Sequence, residues 1–65
     1  MRHDNVWDVK GQIQRETENA ICIRVEGHGD VWLPFSQVEE IHRGKGFEDD
    51  WIVCSRWIAQ QKGLL

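Results

Sequence analysis

The 65-residue chain has no tyrosine, one proline and only two cysteines. Two cysteines cannot build the disulfide framework of a small secreted domain, so Cys22 and Cys54 are expected as reduced thiols, buried as small apolar side chains. No apolar run approaches the ~18 residues that cross a bilayer, and no apolar h-region follows Met1. The expectation is therefore a cytoplasmic protein with no membrane partner. An excess of positive charge is also missing: eight basic residues face eleven acidic ones, for a formal net charge of −3. That balance argues against strong non-specific duplex binding, which depends on neutralising phosphates. Repeats, linkers and low-complexity stretches are lacking too, which leaves one small domain over residues 1–65.

What is present fits a globular domain, 40% hydrophobic and 29% charged. A chain of this size buries only about 60% of the surface its unfolded form exposes. It has room for one core and one binding face, and hardly for a deep catalytic cleft.

Residues 6–13 alternate, with Trp7, Val9, Gly11 and Ile13 on one face and Asp8, Lys10 and Gln12 on the other. That period predicts a half-buried strand. A polar turn at 15–19 separates it from a second alternating run, 20–26, in which Ile21, Ile23 and Val25 oppose Cys22, Arg24 and Glu26. The pair predicts an antiparallel hairpin. Gly27-His28-Gly29-Asp30 reads as a further turn. Val31, Leu33 and Phe35 then continue a strand that Pro34 ends or confines to an edge, because proline cannot donate to a ladder.

Ser36-x-x-Glu39 has the form of a capping box and predicts one helical turn carrying Val38 and Ile41. Residues 42–50 read as an exposed loop. Trp51-Ile52-Val53-Cys54 is apolar on both faces and predicts a central strand. Ser55 then caps a helix over 56–62, with Gly63 as its left-handed terminator and Leu64 folding back onto Ile58 or Ala59. The architecture expected is α+β: a small curved antiparallel sheet, or an SH3/OB-like barrel, of four to five strands with a short C-terminal helix. Exposed edges in so short a sheet make a homodimer plausible.

Three segments, Arg15-Glu16-Thr17-x-x-Ala20-Ile21, Trp32-Leu33-Pro34-x-Ser36-Gln37-Val38 and Trp57-x-Ala59-x-x-Lys62-Gly63-Leu64, resemble in this order a family of small proteins encoded by bacteriophages and prophages. The resemblance touches most of the chain between residues 15 and 64. It implies a phage setting, and hence a bacterial cytoplasm, but no reaction and no functional residue. Phe35 stands where the family commonly carries a lysine, so no basic contact is carried over.

The chemistry-bearing residues form no recognised constellation. Cys22, Cys54, His3, His28 and His42 supply metal-ligand types without the C-x-x-C or H-x₃₋₅-H spacing of structural zinc sites, so no metal or cofactor is expected. A nucleophile elbow, a phosphate-binding loop and a dinucleotide fingerprint are all missing, which points away from an enzyme.

Four tryptophans are the informative feature. Trp7 follows its strand's apolar phase, Trp57 the helix's apolar side, and Trp51 opens the central strand, so all three are expected in the core. Trp32 is out of phase with Val31, Leu33 and Phe35 and is the best candidate for an exposed aromatic, the alternative being packing under the C-terminal helix. An exposed Trp32 with Arg24 beside it fits the centre of a protein-binding surface, where tryptophan and arginine dominate affinity. Glu48, Asp49 and Asp50 would form an acidic rim that steers a basic partner. In a phage setting that reading extends to inhibiting or modulating a nucleic-acid-handling or defence complex of the host, in the manner of an anti-CRISPR protein. The alternative is a single-stranded nucleic-acid-binding module of phage replication or recombination. Trp32 would then be a stacking platform, and Arg24, Arg43, Lys45 and Arg56 would line a basic groove.

Overall fold

The alternation of the first two apolar runs becomes a hairpin of β1 (Val6–Glu16) and β2 (Ala20–Val25). Thr17 closes it: its backbone N–H donates to the Ala20 carbonyl at 2.8 Å, and its hydroxyl oxygen accepts from the Ala20 N–H at 3.1 Å. The computed structural model describes residues 5–65. Next comes β3 (Gly29–Pro34), which stops at the proline as expected, then a 3-10 turn at Phe35–Gln37. Strands β4 (Val38–His42) and β5 (Asp50–Ser55) and the helix α1 (Arg56–Gln61) complete the order. All pairings are antiparallel, and the sheet runs β3-β2-β1-β5-β4. It is a small α+β fold whose sheet stays open rather than closing into a barrel.

Strand β1 belongs to two halves of this sheet. Val6 to Gly11 pair with β5, and Gln12 to Glu16 pair with β2. The transfer falls at Gly11, where a Cβ atom would lie 2.0 Å from the Arg24 carbonyl oxygen. Only glycine lets the two backbones approach so closely. Just beyond, the register slips between Ile13 and Arg15, a bulge that adds local twist where the strand turns from one half to the other.

The core lies on one face. Val9, Ile21, Ile23, Val31, Leu33, Ile52 and Cys54 project there from four strands, and α1 covers them with Ile58 and Ala59. Ser55 caps the helix as expected, its hydroxyl accepting from Ile58 N–H at 3.1 Å while donating to Gln37 Oε1 at 2.6 Å. The helix ends in a Schellman motif: Leu64 N–H donates to Ala59 O, Gly63 N–H donates to Gln60 O, and Gly63 takes φ of 74°. Leu64 thereby packs onto the core.

Two expectations fail. Ser36 caps nothing: Pro34 occupies the cap position without a side-chain bond, and the chain makes only a 3-10 turn before extending. The segment expected to be helical is instead strand β4, because pairing along β5 satisfies every other backbone group at once, which outweighs a local cap. The indoles of Trp7, Trp51 and Trp57 are not core. They are 36, 38 and 59% exposed, respectively, because the interior is already filled by aliphatic side chains.

Gly11→Ala should cost about 2–3 kcal/mol, since its methyl group meets backbone rather than a movable side chain. Gly46→Ala, with φ of 63° but open space around the position, should cost only about 1 kcal/mol. Thermal melts check this: at roughly 4–8 °C per kcal/mol for a domain this small, the first variant falls well below the second. Equal losses would refute the close-approach argument.

Candidate docking face

The face of the sheet opposite the core is built by the alternate phase of every strand. Across β2 and β3, Trp32 stands opposite Cys22 and Arg24 opposite Asp30. Across the other half, Trp51 lies between Lys10 and His42, and Val53 between Asp8 and Glu40. Cys22 and Val53 are buried on this outer face without joining the core cluster. Both cysteines are free thiols, and burial pushes the Cys54 thiol pKa up.

Trp32, at 37% exposure, is outside, on an edge strand. Arg24 is on the same face but already partnered: its Nε donates to Asp30 Oδ1 at 2.8 Å and an Nη to Oδ2 at 3.5 Å. That hydrogen bond holds the Asp30 carboxyl below the ordinary carboxylate range. Arg43 is ion-paired with Glu16, which ties the 43–49 loop to the end of β1. Arg43 and Arg24 therefore offer a nucleic acid less free charge than the sequence alone implies. Lys45 is exposed.

The acidic triplet divides into three jobs. Asp50 opens β5 on the inward phase of Ile52 and Cys54, and both its oxygens are used: Oδ2 accepts from Ile13 N–H at 2.8 Å, Oδ1 from Gly44 N–H at 2.7 Å. Those two backbone donors lower its pKa. It is a structural clasp rather than a rim charge. Glu48 closes the loop turn, its N–H donating to Lys45 O at 3.1 Å and its Oε1 accepting from Lys45 N–H at 3.1 Å. Asp49 is exposed and faces two shallow grooves. One is lined by Arg24, Lys10, Gln12 and Glu26, the other by Phe47, Trp51, Asp8, Lys10 and Glu48. Arg24 and Asp49 thus share a groove, while Trp32 lies outside both.

Sequence reasoning missed Phe47, Trp51, His42, Asp8 and Lys10. Phe47 is fully exposed at the tip of the turn that Gly46 and Glu48 shape. Its signal was there: a lone aromatic residue set between a glycine and three acids. Trp51 is stacked on His42, ring centroids 4.5 Å apart and 15° from parallel, and His42 Nε2 lies 2.7 Å from Glu40 Oε1. On the helix side, the Arg56 guanidinium sits 5.9 Å from the Trp7 ring centroid. Among the described residues no three His, Cys, Asp or Glu side chains gather to hold a metal ion, and His3 lies outside those residues. No helix among them is long and apolar enough to cross a membrane. Compared with known proteins, the chain matches no family model, no curated protein and no solved structure.

Asp50→Asn places an amide donor against one of two backbone donors and should cost about 1 kcal/mol near neutral pH, allowing for partial exposure of the group. The native carboxyl has a lowered pKa, so its contribution is complete above the unfolded value of about 3.9 and disappears as pH falls through the folded value. Melting curves of both proteins should therefore converge on acidification below about pH 4. A gap that stays constant down to the acid limit would show that the carboxylate charge contributes nothing.

Proposed function

We propose that this protein is a non-enzymatic binding protein of phage type, acting in the bacterial cytoplasm by docking on a host or phage protein through the outer face of its sheet. The carrying observation is Trp32, an indole left partly exposed on an edge strand beside the Arg24–Asp30 pair. Exposed tryptophan on a rigid strand offers large contact area at low entropic cost. The carboxylates at the other end of this face, Glu48 and Asp49, fit a partner whose own surface is basic. Nucleic-acid-handling and defence complexes carry such surfaces, and occupying one would inhibit it. The resemblance of residues 15–64 to small phage proteins supports the setting.

A second reading, binding of single-stranded nucleic acid, draws on the Arg56–Trp7 contact and on Trp57, the most exposed of the indoles. It needs a continuous basic groove, and the grooves seen here set one or two cations among carboxylates.

Two measurements separate the readings. Labelled single-stranded DNA and RNA, titrated at about 50 and 200 mM salt, should not bind at micromolar protein. A partner captured from bacterial lysate by the native protein should be lost with Trp32→Ala, an affinity loss of at least about tenfold, while the variant's melting point stays close to native. Salt-sensitive oligonucleotide binding would overturn the proposal in favour of the second reading.

A further inference from the structure

The groove between the 43–49 loop and the outer face of β1 and β5 is a second contact point on this face, and its chemistry selects its occupant. It is a shallow, open groove of about 540 Å³ lined by two aromatic rings, Phe47 and Trp51. Phe47 covers nothing in its own chain, yet the turn that carries it is held by Glu48 N–H donating to the Lys45 carbonyl and, at its base, by Gly44 N–H donating to the Asp50 carboxylate. Trp51 is fixed from the side by its stack on His42. Two carboxylates, Glu48 and Asp49, line the same space against one ammonium, Lys10. An anion entering would meet net negative charge, and a purely apolar plug would strip water from the carboxylates without replacing it. A cation meets aromatic faces that attract it and oxygens that accept from it.

We infer that this groove receives an arginine side chain from a basic, extended segment of the partner protein, with its guanidinium against Phe47 and Trp51 and its N–H groups donating to Asp49 and Glu48. Arginine is favoured over lysine because its flat guanidinium stacks on a ring and forks to a carboxylate at the same time. The inference rests on the protein-docking reading and names the partner chemistry at one end of that surface.

Fluorescein-labelled Gly/Ser peptides carrying three spaced arginines, three lysines or three citrullines test it by anisotropy. Citrulline keeps the shape of arginine and removes the charge. The arginine peptide should bind, the lysine peptide several-fold more weakly and the citrulline peptide not at all. Phe47→Ala and Asp49→Asn should each weaken arginine binding by about fivefold or more, and Lys10→Gln should strengthen it about twofold. All three positions lie on the surface. If one variant nonetheless melts early, the other two decide.

Trp32→Ala should leave peptide binding unchanged, which separates this groove from the Trp32 contact. Arginine peptide binding absent up to millimolar concentration overturns the inference, as does citrulline binding equal to arginine or native-like binding by both Phe47→Ala and Asp49→Asn. Such a result would leave partner capture through Trp32 standing. Oligonucleotide binding together with loss of the Trp32-dependent partner would instead remove the docking reading itself.

Discussion

The fold turns on one strand doing double duty. Strand β1 supplies pairing edges to β5 along its first half and to β2 along its second, so neither three-stranded half exists without it. A strand can change partners only if its backbone bends away from one and into the next. Two residues make this possible. Gly11 has no side chain to keep Arg24's carbonyl at a distance, and Asp50 accepts the Ile13 N–H on the far side of the transfer. The ladder to β5 stops at the Gly11–Asp50 pair, and the Asp50 carboxylate takes over two residues further along β1. An extended donor that would otherwise face the gap is thus satisfied, as buried backbone groups require.

The strands were legible in the sequence because period two is a strong signal whenever one face is buried. Ile21, Ile23, Val31 and Leu33 sit inside where their alternation puts them, and Ser55 and Gly63 bracket the helix by cap chemistry that works locally. What failed was reasoning about size and competition. Phase assigns Trp7 to the inner side, but the position lies at the end of the sheet, where the aliphatic cluster has already closed. Trp57 lies on a six-residue helix whose inward contacts are taken by Ile58 and Ala59. The Ser36-x-x-Glu39 pattern lost for a different reason. A capping box stabilises a helix only when nothing better is available to the backbone, and the open edge of β5 was available.

The site was legible in part. Trp32 was identified by being out of phase, and it is exposed. Arg24 was identified by register, though not its partner Asp30, which sits directly opposite across β2 and β3. The sequence reads the acidic triplet as one electrostatic rim, because a run of like charges carries no internal distinction. Extending the β5 alternation back from Ile52 by two would have separated Asp50 from its neighbours. Nothing comparable marked the Trp51–His42 stack, because that contact depends on β4 being a strand.

Stability and the proposed docking surface are divided between the two faces of the sheet, and Asp50 is where they meet. The inner face is aliphatic and sealed by α1, so changes at Trp32, Phe47 or Asp49 leave it untouched. The outer face holds Trp32, Trp51 and the uneven charge. Asp50 belongs to the inward phase, yet one of its oxygens holds Gly44, at the base of the loop that displays Phe47. Gly44 is itself pressed against the Glu48 and Asp49 carbonyls, where a Cβ would sit 2.4 and 2.5 Å away, respectively. The display of the aromatic tip therefore depends on the same carboxylate that lets β1 cross between the halves. A partner seated on Phe47, as proposed, would read a loop whose shape is set by the fold's own central joint.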